Sequence, residues 1–253
     1  MPTPPLFDLH HDANARAPTS RWARGAAPAV LLAAGATIGG ALLLARWVGD
    51  DAVVWRASAL ALVGGSLFLW LAARRLGRPT FGAANTVTLA RAVLVLLLVA
   101  SLGVAATTAL GWLLVALGLA AAALDGVDGA LARRRGEGSE FGARFDMETD
   151  ALLILVLAAL AWQHGKAGAW VLAAGLLRYV FVAASYASPW LGAALPASRR
   201  RQTICVVQIT TLLGALVPLV VPPWSVVVAL TGLVALSWSF GVDVAWLARH
   251  ARA

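Results

Sequence analysis

Residues 125–150 read D-G-V-D-G-A-L-A-R-R-R-G-E-G-S-E-F-G-A-R-F-D-M-E-T-D, and they join two long apolar runs. They hold seven of the chain's twelve acidic residues. A charge retained at membrane depth is costly and therefore indicates a function. Asp125 and Asp128 are three residues apart at the end of one apolar run, and Asp146 and Asp150 are four apart at the start of the next. Each pair is expected on one face of a helix, and a short loop can bring the two faces together.

Four converging carboxylates repel one another unless protons or a cation neutralise them. Mg²⁺ and related hard cations prefer carboxylate oxygens, so the pattern predicts a divalent metal site. Phosphoryl transfer depends mainly on positioning and charge stabilisation, which metal-linked carboxylates provide. The glycines of the same stretch allow a backbone to approach a phosphate closely.

The composition predicts an all-α polytopic membrane protein. The chain is 60% hydrophobic and 13% charged, its mean hydropathy is +0.81, and apolar runs of about 20 residues recur along it. The net charge of +8 comes mostly from arginine, and short loops between helices explain it better than nucleic-acid binding. Cys205 is the only cysteine, so no intrachain disulfide is expected. The first residues do not resemble a cleavable signal peptide.

Eight membrane spans are predicted, at about 27–46, 52–73, 86–106, 109–131, 143–162, 168–188, 203–221 and 224–247. Arginine placement orients them. One side collects Arg16, Arg21, Arg24, Arg74, Arg75, Arg78, Arg133, Arg134, Arg135, Arg144, Arg199, Arg200, Arg201, Arg249 and Arg252. The other side has Arg46 and Lys166, with Arg56 nearby. Because positive charge favours the cytoplasmic side, we expect both termini and the aspartates there, in the inner membrane.

Arg91 and Arg178 lie deeper inside predicted spans than the arginines near the span ends. Arg91 follows Asn85 and Thr88 at intervals of three, so the three side chains could share a helix face. Arg91 is expected either to face a polar cavity or to snorkel. Arg178 lies too deep to snorkel, which favours a functional role or a buried ion pair. Asp243, near Arg249 and Arg252, is expected to have a surface partner.

By spacing, the charged stretch is Asp125-x2-Asp128-Gly129-x2-Ala132-Arg133-x8-Gly142-x3-Asp146-x3-Asp150. This resembles the signature of the CDP-alcohol phosphotransferase family, D-x2-D-G-x2-A-R-x8-G-x3-D-x3-D, at every fixed position and every gap. The resemblance implies a six-helix catalytic core over 86–253. It leaves a cytoplasmic tail (1–26), two accessory helices (27–73) and a basic segment on the membrane surface (74–85) outside that core.

The resemblance implies transfer of a phosphatidyl group from a CDP-linked donor, such as CDP-diacylglycerol, to an alcohol, with release of CMP in phospholipid biosynthesis. Implied metal ligands for Mg²⁺ or Mn²⁺ are Asp125, Asp128, Asp146 and Asp150, and Asp150 is also the implied general base. We expect CDP and its phosphates to contact Asn85, Thr88, Asp128, Gly129, Arg133 and Gly142. The resemblance also suggests a homodimer.

The acceptor stays open at this stage. Arg178, Arg199 and Arg200 lie where some relatives bind an acceptor phosphate, which favours glycerol 3-phosphate or inositol phosphate. Serine or another unphosphorylated alcohol is the alternative. A carboxylate-lined metal transporter is a second hypothesis, but the aspartates cluster at one interface and no internal repeat is apparent.

Overall fold

The computed structural model describes the backbone of residues 19–75, 83–135, 140–193, 195–196 and 198–251. Within these ranges it describes every side chain except those of residues 19–25, 71–75, 83–84, 127–135, 140–141 and 189. These parts of the chain form eight α-helices, two short 3-10 helices and no strand, which confirms the predicted all-α class. The α-helices are α1 (Thr19–Val48), α2 (Ala52–Arg75), α3 (Ala83–Ala100), α4 (Thr108–Arg135), α5 (Glu140–Gln163), α6 (Ala173–Ala187), α7 (Arg199–Leu216) and α8 (Trp224–His250). The 3-10 helices are Ala169–Leu172 and Pro189–Gly192.

The prediction of a polytopic membrane protein is confirmed. Among the described residues, five segments are long and apolar enough to cross a membrane: Ala26–Val48, Ala52–Trp70, Thr108–Gly126, Ala169–Ala187 and Trp224–His250. A shorter apolar helix covers Asn85–Ala100. Helices suit this composition because a bilayer offers no water to the backbone, and a helix bonds its N–H and C=O groups internally. Helices α5 and α7 begin with charged residues, which shortens the apolar part of each.

Helix α5 lies at the centre of the bundle. It packs against α3, α6 and α7, and Leu153, Leu157 and Leu160 on it are fully buried. The accessory helices α1 and α2 form a hairpin that packs on α3, while α7 pairs with α8. Because α4 and α5 are consecutive, the end of α4 and the start of α5 lie at the same end of the bundle, where the aspartates are.

Close packing of α6 on α5 requires a glycine. A Cβ built at Gly175 would lie 2.5 Å from the Leu155 Cα atom, closer than real side chains approach a backbone. Small residues allow helix backbones to come together in membranes, where packing and hydrogen bonds rather than the hydrophobic effect drive helix association. The α5–α6 contact therefore depends on the absence of a side chain at Gly175.

At the end of the bundle away from the aspartates, basic side chains bind helix carbonyls. Arg56 donates to the carbonyl oxygens of Ala100, at 3.0 Å, and of Leu102, and it pairs with Asp50 at 3.3 Å. Arg56 thus caps α3 and ties the accessory hairpin to the core. Lys166 similarly donates to the carbonyl oxygens of Val217, Pro218 and Val220 beyond the end of α7.

Several predicted boundaries differ from the structure. Helix α1 begins at Thr19, so residues 19–26 belong to a helix rather than to the predicted tail. Helix α3 ends at Ala100 instead of about 106, because a turn with Gly103 at φ +85° follows it. Helix α6 begins at Ala173, after a 3-10 turn. Residues 1–18 of the tail and 76–82 of the predicted surface segment lie outside the described residues.

Candidate active site

Three of the four predicted aspartates converge. Asp125 lies about three turns before the end of α4, while Asp146 and Asp150 lie one turn apart in the first half of α5. All three are partly buried, and one carboxylate oxygen from each lies within 4.8 Å of the others. The side chain of Asp128 lies outside the described residues, as do those of Gly129 and Arg133. The predicted meeting of the α4 and α5 faces is therefore confirmed for this group, named here the carboxylate cluster.

Arg91 of α3 reaches into the carboxylate cluster. Its side chain is fully buried, and its Nη1 atom lies 2.7 Å from Asp125 Oδ1 and 2.5 Å from Asp146 Oδ1. Its Nη2 atom pairs with Asp150 Oδ1. One guanidinium thus bridges three carboxylates, which stabilises their negative charges without cancelling all of them. Of the two alternatives for Arg91, the polar environment is correct and snorkelling is wrong.

The sequence left Arg91 between a polar cavity and snorkelling and did not assign it to the site. Its signal was an arginine inside an apolar run, on the face marked by Asn85 and Thr88. Both of these residues are buried near the start of α3, with exposed fractions of 9% and 4%. Gly142 lies one turn before Asp146 on α5 and is partly buried.

Helix α7 supplies another neighbour that the sequence did not suggest. The Cys205 thiol lies 3.8 Å from Asp150 Oδ2 and can donate to it. Since Asp150 Oδ1 pairs with Arg91, the two oxygens of this carboxylate face different partners. Helices α3, α4, α5 and α7 therefore all contribute side chains around the cluster.

Arg178, predicted to bind the acceptor or to form a buried pair, forms an ion pair with Glu148 of α5. It also donates to Met147 Sδ at 2.9 Å. Glu148 lies between Asp146 and Asp150 in sequence, but residues two apart lie on different helix faces. Its carboxylate pairs with Arg178 of α6. The arginine's charge at membrane depth is therefore compensated by an acidic side chain.

The three arginines at the start of α7 differ in their partners and in their exposure. Arg200 lies 2.6 Å from both Ser239 O and Ser239 Oγ, and 2.5 Å from Asp243 Oδ1. Arg201 lies 3.4 Å from the same Asp243 oxygen and donates to the Pro196 carbonyl. Arg199 is exposed. Asp243, for which a surface partner was expected, pairs with Arg200 and Arg201 of α7. Arg252, which is near it in sequence, lies outside the described residues.

The cluster is chemically suited to a divalent cation. Its donors are carboxylate oxygens, the ligand type that Mg²⁺ and Mn²⁺ prefer, and they are close enough for one ion to reach several of them. Among Arg91, Asp125, Asp146 and Asp150, the single guanidinium leaves two negative charges, which a divalent cation would balance. Arg91 lies within bonding distance of all three carboxylates, so a cation entering the cluster has to compete with it or share them.

Residues 81–242 match the family model described as CDP-alcohol phosphatidyltransferase. The chain belongs to this family. No curated protein and no solved structure matches the chain in the corresponding searches. The matched region begins just before α3 and ends within α8, so it contains the carboxylate cluster and leaves α1 and α2 outside. Membership makes the protein a transferase of phosphatidyl groups from CDP-linked alcohols, a family that generally depends on divalent metal.

Proposed function

We propose that the protein transfers a phosphatidyl group from CDP-diacylglycerol to an alcohol and releases CMP, as a step in phospholipid biosynthesis. The observation that supports this best is the convergence of Asp125, Asp146 and Asp150 at one end of an otherwise apolar helical bundle. A lipid-linked diphosphate could reach such a cluster while its acyl chains stay in the bilayer. A transporter hypothesis has no comparable support, because the family transfers phosphatidyl groups.

Asp150 is the proposed general base. Its Oδ2 atom is not the oxygen paired with Arg91, so it can accept the proton of the acceptor hydroxyl. As that hydroxyl oxygen bonds to the phosphorus carrying the diacylglycerol, the bond from this phosphorus to the CMP oxygen breaks. Arg91 holds the carboxylates in place during the transfer.

The cation sites and CDP contacts complete the proposal. Asp125, Asp128, Asp146 and Asp150 would hold Mg²⁺ or Mn²⁺, which supplies charge stabilisation at the donor's diphosphate when bound. Asn85, Thr88, Asp128, Gly129, Arg133 and Gly142 are the proposed contacts of CDP and its phosphates. Asn85 and Thr88 are both buried on α3, the helix that carries Arg91, which supports their proposed role.

The test is CMP release from CDP-diacylglycerol by purified protein, with Mg²⁺ or Mn²⁺ and a panel of alcohols. Asp150→Asn should lower turnover by about 100-fold or more, since that is a typical contribution of a general base. Asp125→Ala should in addition raise the metal concentration needed for half-maximal rate. Asp51→Asn is the matched control, because Asp51 is exposed in the turn between α1 and α2, at the opposite end of the bundle. No CMP release from the wild-type protein with any acceptor would refute the proposal.

A phosphorylated acceptor, glycerol 3-phosphate or inositol phosphate, remains our proposal, with serine as the alternative. An acceptor phosphate would have to compete with Glu148 for Arg178 and with Asp243 for Arg200, whereas Arg199 is exposed. Rates with the three alcohols at equal concentration decide between them. If the acceptor is phosphorylated, Arg199→Gln should raise the KM for the acceptor. Activity with serine alone would contradict a phosphorylated acceptor.

We further propose a homodimer with its termini and active site on the cytoplasmic side of the inner membrane. Family resemblance supports the dimer, and arginine placement supports the orientation. Mass measurement of the detergent-solubilised protein tests the first. For the second, single cysteines replacing Arg199 or Gly165 in a Cys205→Ser background should react with an impermeant thiol reagent from opposite sides of the membrane.

A further inference from the structure

An apolar cavity of about 200 Å³ lies between the accessory hairpin and the catalytic core. Helices α1 and α2 form one wall, and α3 and α5 form the other. Small residues create the space, notably Ala33 and Ala34 on α1, Gly64 and Gly65 on α2 and Ala92 on α3. The accessory helices therefore do more than surround the core, because they complete a cavity that neither part forms alone.

The polar side chains named in the lining already have hydrogen-bond or ion-pair partners. Thr37 Oγ1 donates to the Ala33 carbonyl at 2.9 Å, and Thr149 Oγ1 donates to the Phe145 carbonyl at 2.8 Å. Among the described residues, Glu148 is the only charged one in the lining, and it pairs with Arg178. A cavity without available hydrogen-bonding groups does not hold water well. The cavity is open on one side, where Gly64 is exposed, so an apolar chain can enter it and make dispersion contacts with its walls.

The cavity lies directly beside the carboxylate cluster. On α5, Phe145 and Thr149 line the cavity, and the next residues along the chain, Asp146 and Asp150, belong to the cluster. Successive helical residues are about 100° apart, so the two sites occupy adjacent faces of the same turns. Phe68 of α2 packs edge-on against Phe145, with ring centroids 4.8 Å apart, at this end of the cavity.

The cavity also extends away from the cluster into the apolar part of the bundle. Its lining runs from Leu89 to Leu96 on α3 and from Phe145 to Leu152 on α5. Seven residue steps correspond to about 10 Å along a helix. Both segments run inwards from the aspartate end, so the cavity is elongated in the direction that a lipid chain takes below its headgroup.

We propose that this cavity binds one acyl chain of the CDP-linked lipid donor. The assignment rests on the proposed function, since it takes the headgroup of the same molecule to be at the carboxylate cluster. A headgroup held there presents its own chain to the neighbouring cavity at high effective concentration. The accessory helices would then contribute to donor binding, with Gly64 and Gly65 keeping the cavity open.

A pair of glycine substitutions tests the assignment. Gly64 lines the cavity, whereas Gly35 of α1 does not. Both are exposed helical glycines within apolar spans, and a Cβ built at either meets no atom within 4 Å. Gly64→Leu should place a side chain in the path of the acyl chain without displacing protein atoms. Gly35→Leu is the matched control, because it adds the same group elsewhere on the hairpin.

The first readout is binding. Purified protein is irradiated with CDP-diacylglycerol carrying a diazirine along one acyl chain, and labelled peptides are identified by mass spectrometry. Residues 30–37 and 61–68 should be labelled in the wild-type protein. Gly64→Leu should reduce this labelling about fivefold, and Gly35→Leu should not change it. The expected reduction is modest because the surrounding lipid is as apolar as the cavity. Equal labelling of these segments by a diazirine phosphatidylcholine would overturn the donor assignment.

The second readout is kinetic and separates the two proposals. Gly64→Leu should raise KM about fivefold for a long-chain donor and leave unchanged the KM of a donor whose chains are too short to fill the cavity. Equal effects on both donors, or an equal effect of Gly35→Leu, would overturn the chain assignment while the transfer reaction stands. Absence of CMP release with the expected labelling pattern would instead refute the proposed function and leave the cavity as a lipid-chain site.

Discussion

Replacing Arg91 by glutamine should make the protein's stability depend on divalent metal. The fully buried guanidinium of Arg91 bridges Asp125, Asp146 and Asp150. Its removal leaves three carboxylates facing one another without a cation, and like charges at this distance oppose the folded state. A divalent ion in the cluster would replace the missing charge. The substitution therefore affects the metal-free protein more than the metal-bound protein.

The magnitude follows from burial. Removing one partner of a fully buried ion pair costs about 3–5 kcal/mol. The three carboxylate side chains keep exposed fractions of 33%, 38% and 23%, so water screens part of their repulsion. We expect the metal-free variant to lose about 2 kcal/mol of unfolding free energy, which corresponds to a Tm lower by about 4–8 °C for a chain of this size. With Mg²⁺ the loss should fall below about 1 kcal/mol, and linkage then requires tighter Mg²⁺ binding by the variant.

The assay is thermal unfolding in detergent, with EDTA or with Mg²⁺ at constant ionic strength, together with a titration of Mg²⁺ affinity. Arg56→Gln is the matched control. Arg56 also binds an aspartate and backbone carbonyls, but at the opposite end of the bundle, so its variant should lose equal stability with and without Mg²⁺. A loss in Arg91→Gln that Mg²⁺ does not reduce would show that the guanidinium does not take the place of a cation.

Two further predictions concern packing and pH. Gly175→Ala should lower the unfolding free energy by about 1–3 kcal/mol, because its Cβ would overlap Leu155. Gly241→Ala is the control, because a Cβ there meets no atom within 4 Å, and it should be neutral or slightly stabilising in chemical denaturation. Equal losses of unfolding free energy in the two variants would contradict the role of close packing at Gly175. Burial, followed by the positive charge of Lys166, lowers the pKa of His164 below 6.5. The unfolded chain therefore binds a proton more readily than the folded protein does, and stability is lost as the pH falls below about 6.5. His164→Gln should show a smaller drop in Tm than the wild type between about pH 7 and pH 5.5, and an unchanged pH profile would contradict the assignment.

Local sequence patterns were sufficient to predict the all-helical class and the convergence of Asp125, Asp146 and Asp150. Long apolar runs require helices in a bilayer, since other backbone conformations leave polar groups unbonded. Helical periodicity alone places Asp146 and Asp150 on one face. The short connection between α4 and α5 then brings Asp125 to the same end of the bundle. These inferences depend on distances along the chain, and the structure agrees with them.

Contacts between helices distant in sequence were decided only by tertiary structure. Periodicity shows which face of a helix carries a residue, but it does not show which other helix covers that face. The sequence therefore left Arg91 between two alternatives and did not identify Arg200 and Arg201 as the partners of Asp243. It also could not predict the cavity beside α5, because a cavity results from how four helices pack together. The sequence identifies the charged residues, but only the three-dimensional arrangement determines which of them form ion pairs with one another.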